Sequence, residues 1–314
     1  MNQHKSGFVS ISKEHKSGFV SILGRPNAGK STLLNTLVGQ KVAIVADKPQ
    51  TTRTAIQGVY TAPEAQIVFL DTPGIHKSDS PINKRMMAAV REALDERDAF
   101  LFLVDASEPF TEEDTHALSL LRVGGPPVVL AMNKIDLLPN REALLPLLTE
   151  YQKHYDFASY LPVSAAKGTG IALLMQELIG YMPEGPEYFP EDHVTDQPAR
   201  FLAAELIREQ VLRLTRQEVP HSTTVFIEKW EETPKLLRIY ATVMVERDGQ
   251  KAIVIGKQAS VLKEIGTQSR LEMESLFGIK IFLDLHVKVE EGWREKPAYL
   301  NSIDWRTMSG RDES

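Results

Sequence analysis

The chain has no cysteine. Disulfides and thiolate metal sites are therefore excluded, and the composition fits a reducing compartment. It has no apolar run as long as a membrane span, and no apolar signal core near its N-terminus. An excess of positive charge is also missing. With 36 basic and 42 acidic side chains the formal net charge is −6, so bulk charge gives no sign of nucleic acid. The deficit lies in residues 1–198, which hold 18 basic and 24 acidic groups, whereas residues 199–314 hold 18 of each. What remains is ordinary for a soluble globular chain: 42% hydrophobic and 25% charged over 314 residues, enough for about two domains.

The chain is organised around Gly24-Arg25-Pro26-Asn27-Ala28-Gly29-Lys30-Ser31, which fits G-x-x-x-x-G-K-[ST] at every position. Gly24 and Gly29 let the backbone fold tightly, so that successive N–H groups face phosphate oxygens. Lys30 can reach the β- and γ-phosphates, Ser31 can ligate Mg²⁺, and Thr32 follows in the same first turn. The context agrees: residues 19–23 read as a short buried strand, and residues 31–38 as a helix stopped by Gly39. Ahead of it His4-Lys5-Ser6-Gly7-Phe8-Val9-Ser10-Ile11 recurs at 15–22. Only the second copy leads into the phosphate loop, so residues 1–14 are expected to be an extension outside the core.

About twenty residues beyond Lys30 the run Lys48-Pro49-Gln50-Thr51-Thr52-Arg53 reads as a loop. A γ-phosphate sensor belongs there, with a Thr hydroxyl completing the Mg²⁺ shell; Thr52 is the expected ligand and Thr51 the runner-up. Strands at 54–61 and 66–70 lead into Asp71-Thr72-Pro73-Gly74, where Asp71 can hold Mg²⁺ through water and the Gly74 N–H can touch the γ-phosphate. A helix from Pro81 to about Glu96 places Met86, Met87, Val90 and Leu94 on one face, a core stripe. The strand at 128–132 ends in Asn133-Lys134-Ile135-Asp136. Asp136 can accept from guanine's N1–H and N2–H₂, a donor pair that adenine lacks, while Asn133 braces the loop and the Lys134 stem covers the ring. Ser164-Ala165-Ala166 ends another strand and would close over the guanine O6 through backbone N–H groups. Strands alternating with helices predict a mostly parallel α/β sheet with helices on both faces.

The composition then shifts at the proline-rich run 184–198, read as a linker. An amphipathic helix at 201–214, strands at 222–230 and 235–245, a short apolar segment at 250–255, a helix at 260–277 and a strand at 279–289 describe a second, α+β domain.

The motifs G-R-P-N-A-G-K-S, Q-T-T-R, D-T-P-G, N-K-I-D and S-A-A, in this order, resemble the Era family of bacterial GTPases, from Gly18 to about Trp305. The resemblance implies a Ras-like P-loop GTPase domain over 15–183, a linker over 184–198, a type II KH domain over 199–306 and a tail over 307–314. It further implies a GTP-hydrolysing switch that binds the 3′ region of 16S ribosomal RNA and assists assembly of the small, 30S, subunit. KH domains clamp single-stranded nucleic acid with a G-x-x-G loop. Here that loop is Gly256-Lys257-Gln258-Ala259, with Ala where the last Gly belongs, which puts close backbone approach in question. Arg247, Lys251 and Lys263 are the expected flanking contacts. Lys30, Thr52 and Gly74 are the expected catalytic groups. Ile75 stands where many GTPases carry the Gln that orients water, and Arg53 is a candidate arginine finger by position alone. In related GTPases an Asn at position 27 helps hold K⁺, so Asn27 is expected either to do this or only to brace the loop through its side-chain amide. A monomer in the cytoplasm is expected, with peripheral attachment to the inner membrane as a further partner surface. The competing classes are a metabolic kinase, against which the guanine tetrad argues, a transfer-RNA-modifying GTPase, whose enzymatic members use a C-terminal Cys, and a membrane-associated GTPase without an RNA role.

Overall fold

The structure is a computed structural model that describes residues 15–48, 50–74, 80–122, 124–215, 219, 222–301 and 305. The extension expected at 1–14, the departure at Ile75 and the tail from 307 lie outside these residues. The first half is a six-stranded sheet in the order β2-β3-β1-β4-β5-β6. Its strands are β1 (Lys16–Leu23), β2 (Ile56–Ala62), β3 (Ala65–Asp71), β4 (Ala99–Asp105), β5 (Val128–Asn133) and β6 (Ser159–Pro162). Only β2 runs antiparallel to its neighbour. Strands β4 and β5 are buried at every position, as strands with helices on both faces must be.

The helices α1 (Lys30–Val38), α2 (Pro81–Glu92), α3 (Glu112–Leu118), α4 (Leu144–His154) and α5 (Ile171–Tyr181) divide the core in two. One cluster joins α1 and α5 to the sheet through Leu33, Leu34, Leu174 and Leu178. The other gathers Val90, Phe102, Leu118 and Tyr151. Helix α1 opens at Gly29 and closes at Gly39, both left-handed. Helix α2 is shorter than its apolar spacing predicts. It stops at Glu92, and Glu96, inside the expected span, has φ +52°. The chain order reverses at β1, which pairs with β3 on one side and β4 on the other. The phosphate loop therefore leaves the sheet at its topological switch point, where open α/β sheets bind ligands.

The second half has α6 (Ala199–Leu214), β7 (Thr224–Thr233), β8 (Leu236–Val245), α7 (Asp248–Ile255), α8 (Ser260–Phe277), β9 (Lys280–Val289) and a short α9 (Pro297–Asn301). Strands β7 and β8 pair antiparallel, β8 and β9 parallel. Along β8 the buried Leu237, Ile239, Ala241 and Val243 face the helices, alternating with the outward Arg238 and Tyr240.

Helix α6 departs from the expected amphipathic pattern. Beyond its apolar stripe, Arg208, Glu209 and Gln210 are buried in succession. The reason is its place between the two halves: Ala203, Leu206 and Ile207 pack on the smaller sheet, while Phe201 joins the core of the larger one. The methionine stripe of α2 is likewise shared. Met86 packs with Met244, Trp293 and Leu300 of the second half, and Met87 lies against the first-half core. Among the described residues, no helix is long and apolar enough to cross a membrane.

Candidate functional site

The phosphate loop is built on two left-handed glycines. Gly24 has φ +143° and Gly29 φ +95°. Space forbids side chains at both: a Cβ on Gly24 would lie 2.2 Å from the Leu103 carbonyl oxygen, and one on Gly29 2.4 Å from Nδ2 of Asn133. Asn27 also has positive φ, +62°, which Asn tolerates better than most residues. The first N–H groups of α1 have no helical acceptor and face the cleft as anion donors. Lys30 is buried, and its ammonium donates to the carbonyls of Gly24 and Arg25 at 3.0 and 2.8 Å. Burial pushes its pKa down to about 8 against the opposing pull of Asp71. A phosphate beside it would favour the charged form.

Three oxygens meet next to this lysine. Ser31 Oγ donates to Asp71 Oδ2 at 2.6 Å and shares a 2.8 Å hydrogen bond with Thr52 Oγ1. The Thr51 hydroxyl turns inward to its own loop, donating to the carbonyls of Ala46 and Lys48. Asp71 is fully buried, and desolvation raises its pKa to about 6 despite Lys30, Ser31 and Thr52 nearby. Its Oδ1 is buried without a partner. Hard oxygen donors around a buried carboxylate with a free oxygen fit Mg²⁺. Thr72 is tied back to β1 through its hydroxyl on the Ile22 carbonyl, 2.8 Å. After Pro73, Gly74 packs so closely on Pro26 that a Cβ would approach Pro26 Cγ to 2.8 Å. A cleft runs over Asn27, Lys30, Ser31, Thr32, Thr52 and Gly74 to Lys134. It is also walled by Lys48 and by Ile44 to Asp47, the latter four not singled out by the motifs. Their one signal in the sequence is their place in the loop before Thr51.

The second set of loops is joined to the first by Asn133. Its Nδ2 donates to the Ala28 carbonyl at 2.8 Å, and its Oδ1 accepts from the Ala165 N–H at 2.9 Å. One buried amide thus locks the loop after β5 to the phosphate loop and to the turn after β6. Asp136 Oδ1 accepts from Ser164 Oγ at 2.5 Å, which orients an exposed carboxylate. Ser164 and Thr169 exchange backbone hydrogen bonds, closing a tight turn that leaves Ala166 at the rim. Lys134 has φ +63° and pairs with Asp105 at 2.6 Å, fixing its stem along the cleft. Burial works against ionisation of Asp105, but its bonds from Lys134 and Ser107 outweigh that and hold it below the usual carboxylate range.

Two arginines point elsewhere. Arg25 lies in the phosphate loop, but its guanidinium reaches Asp114 of α3 at 3.1 Å and Thr111, the cap of that helix, at 3.0 Å. Its side chain therefore turns away from the cleft. Arg53 is no arginine finger in this arrangement. It is buried against the second half, donating to the Thr223 carbonyl at 2.8 Å and lying 5.7 Å over the Trp293 ring.

These geometries coincide with two matched regions. Residues 19–134 match the family described as 50S ribosome-binding GTPase, and residues 218–294 match the KH domain. GTPase Era of Lactobacillus delbrueckii subsp. bulgaricus is 49% identical over 305 residues, covering 97% of both chains. The chain belongs to the Era family of GTPases. Era of Aquifex aeolicus, a single-substitution variant bound to GDP·AlF4⁻, superposes with a TM-score of 0.89 at 40% identity, over 92% of this chain and 99% of that one. An Era structure in complex with MgGDPNP and nucleotides 1506–1542 of 16S ribosomal RNA gives the same score and identity, over 93% and 99%.

In this Era-family chain the G-x-x-G position lies between α7 and α8. Gly256 has φ +70°, and a Cβ there would meet Val261 at 2.5 Å. Gln258 and Ala259 are both left-handed, at φ +53° and +60°. Ala259 thus keeps the conformation a glycine would take, at a cost of roughly 1–2 kcal/mol. Lys257, Gln258 and Lys263 are exposed around it and Lys251 is half-buried, whereas the exposed Arg247 stands at the opposite end of α7, beside Glu246, Val289 and Gly292. Gln250 caps α7 by accepting from the N–H groups of Glu246 and Arg247.

Proposed function

We propose that this GTPase works with Mg²⁺ and binds the 3′ region of 16S ribosomal RNA to assist small-subunit assembly in the cytoplasm. The observation that carries the metal reading is the meeting of Ser31, Thr52 and Asp71 beside Lys30. In this reading Ser31 and Thr52 ligate the ion directly, and Asp71 acts through water. Bound there, the ion would neutralise charge on the β- and γ-phosphates. Lys30 and the first-turn N–H groups of Lys30, Ser31 and Thr32 hold the phosphate oxygens. The Gly74 N–H marks the γ-phosphate, and Asp136 with the 164–166 turn selects guanine. The ribosomal subunit is argued from the KH half, because the match described as 50S ribosome-binding ends at residue 134.

The RNA surface we assign is Gly256 to Ala259 with Arg247, Lys251 and Lys263. Its support is the left-handed loop, which turns Lys257 and Gln258 outward between two helices. Lys257→Glu is expected to weaken binding of a 16S 3′-end fragment, and to reduce the slope of log affinity against log salt by about one. Affinity and slope equal to wild type would exclude this loop as the clamp.

Water for the reaction needs placement from outside the usual Gln, given Ile75. We assign a monovalent cation, K⁺, to Asn27. Its exposed side chain lines the cleft and, among the described residues, makes no hydrogen bond that braces the loop. The isolated protein is expected to be slow, near the unassisted scale of about 10⁻⁴ s⁻¹, and faster in K⁺ than in Na⁺ at matched ionic strength. Asn27→Ala should erase that difference. Equal wild-type rates in the two salts would remove the cation, and a difference surviving Asn27→Ala would move it elsewhere.

A further inference from the structure

Thr52 reaches Ser31 because its loop is held, and much of what holds it belongs to the other half of the chain. Helix α6 grips the loop at two places. At the near end, Glu209 accepts from the Val45 N–H at 2.9 Å and pairs with Lys41, which also reaches Glu272 at 3.0 Å. At the far end, Arg208 donates to the carbonyls of Thr51 and, at 3.4 Å, Gln50. Arg208 is fully buried, and two more of its donors go to Glu205 at 2.6 and 2.7 Å. The carbonyl of Thr51 belongs to the peptide bond that leads into Thr52. A guanidinium there fixes the plane of that peptide, and so the direction of the Thr52 side chain. Thr51 cannot do this through its own hydroxyl, which is committed to Ala46 and Lys48.

We propose that Arg208 is a positioning residue of the GTPase site, aiming Thr52 at the phosphate-bound cation by orienting the Thr51–Thr52 peptide. It touches neither nucleotide nor metal, and acts only through Thr52. A planar fork suits the task, because two carbonyls in succession need two donors at fixed separation. Lysine in its place has the charge but not the fork. The proposal rests on the GTPase reading.

A purely structural role for Arg208 would weaken GDP and GTP binding alike, or only lower the melting temperature. A positioning role predicts a split. Arg208→Met should lower kcat at saturating GTP by about tenfold, the scale of one lost charge-assisted hydrogen bond, with a similar loss of affinity for a non-hydrolysable GTP analogue and less than about twofold for GDP. Arg208→Lys should recover only part of this. Thr52→Ala and the double variant Thr52→Ala/Arg208→Met close the cycle: once Thr52 has no hydroxyl to aim, losing Arg208 should change little further. Full additivity, or equal losses for both nucleotides, overturns the proposal. If Arg208→Met does not fold, Arg208→Lys with Thr52→Ala gives the same cycle. A wild type that hydrolyses no GTP would instead defeat the catalytic reading, which is a distinguishable result.

Discussion

Asp136→Asn is expected to convert a guanine site into a xanthine site. The carboxylate can accept from two guanine donors, and an amide presents an acceptor to one and a donor to the other. A buried donor left unsatisfied costs about 1–3 kcal/mol, so the one guanine donor that now faces the amide N–H₂ should lower GTP affinity by between about 5-fold and 150-fold. Xanthine carries an acceptor at position 2, which the Asn amide can meet, so XTP should gain. The fold should tolerate the change. Asn keeps an oxygen for Ser164 Oγ, the partner of Asp136 Oδ1, and residue 136 is exposed. Competition between GTP and XTP for a fluorescent nucleotide, beside a thermal melt, reads both quantities. A variant that still prefers GTP, at an unchanged melting temperature, would mean that something other than Asp136 reads the base.

Gly24→Ala should be severely damaging. The φ of +143° lies where an L side chain is strained, and the new Cβ would lie 2.2 Å from the Leu103 carbonyl oxygen and 3.2 Å from its carbon. That obstacle is backbone of the buried strand β4, which cannot rotate aside as a side-chain tip could. Strain and overpacking together are expected to cost roughly 4 kcal/mol. For a protein of this size that lowers the melting temperature by about 6 °C. Function should fall further than stability. Relief requires the loop to lift, and the Gly24 carbonyl is an acceptor for Lys30. Calorimetry and a GTP titration test the pair. Wild-type melting together with wild-type GTP affinity would show that the loop has room the geometry denies.

The phosphate loop and the guanine loops were legible because their chemistry is written into contiguous residues. A left-handed Gly24, a left-handed Gly29 and an Asn133 that bridges loops each leave a residue type at a fixed spacing. The alternation of strands and helices was legible for a similar reason, since burial on both sheet faces gives the all-apolar runs of β4 and β5. Thr52 was the expected ligand and Thr51 the runner-up, but the physical reason for that order was not legible. Adjacent residues of one type are separated only by the path of the loop, and that path is held by Arg208, over 150 positions away. The directions of Arg25 and Arg53 were hidden for the same reason, because each is set by a distant partner, Asp114 in one case and Thr223 in the other. Helix α6 misled in a different manner. Its apolar stripe predicts one solvated face, yet Arg208, Glu209 and Gln210 are buried, because the first half supplies polar backbone for two of them to meet. A polar stripe on a helix reads the same in sequence whether water or another domain satisfies it.

Arg53 also bears on how firmly the two halves hold together. Its Nε and Nη2 are buried without partners, and burial, with Arg208 and Arg294 nearby, pulls its pKa down to about 9 in spite of Glu205. A guanidinium that spends most of its donors on nothing would be better solvated outside. Contact area overstates the strength of such a joint, because parting the halves returns water to two stranded donors, each worth about 1–3 kcal/mol. The seam therefore carries a release term of its own, which offsets part of what the apolar packing of Met86, Met244 and Trp293 contributes to holding the halves together.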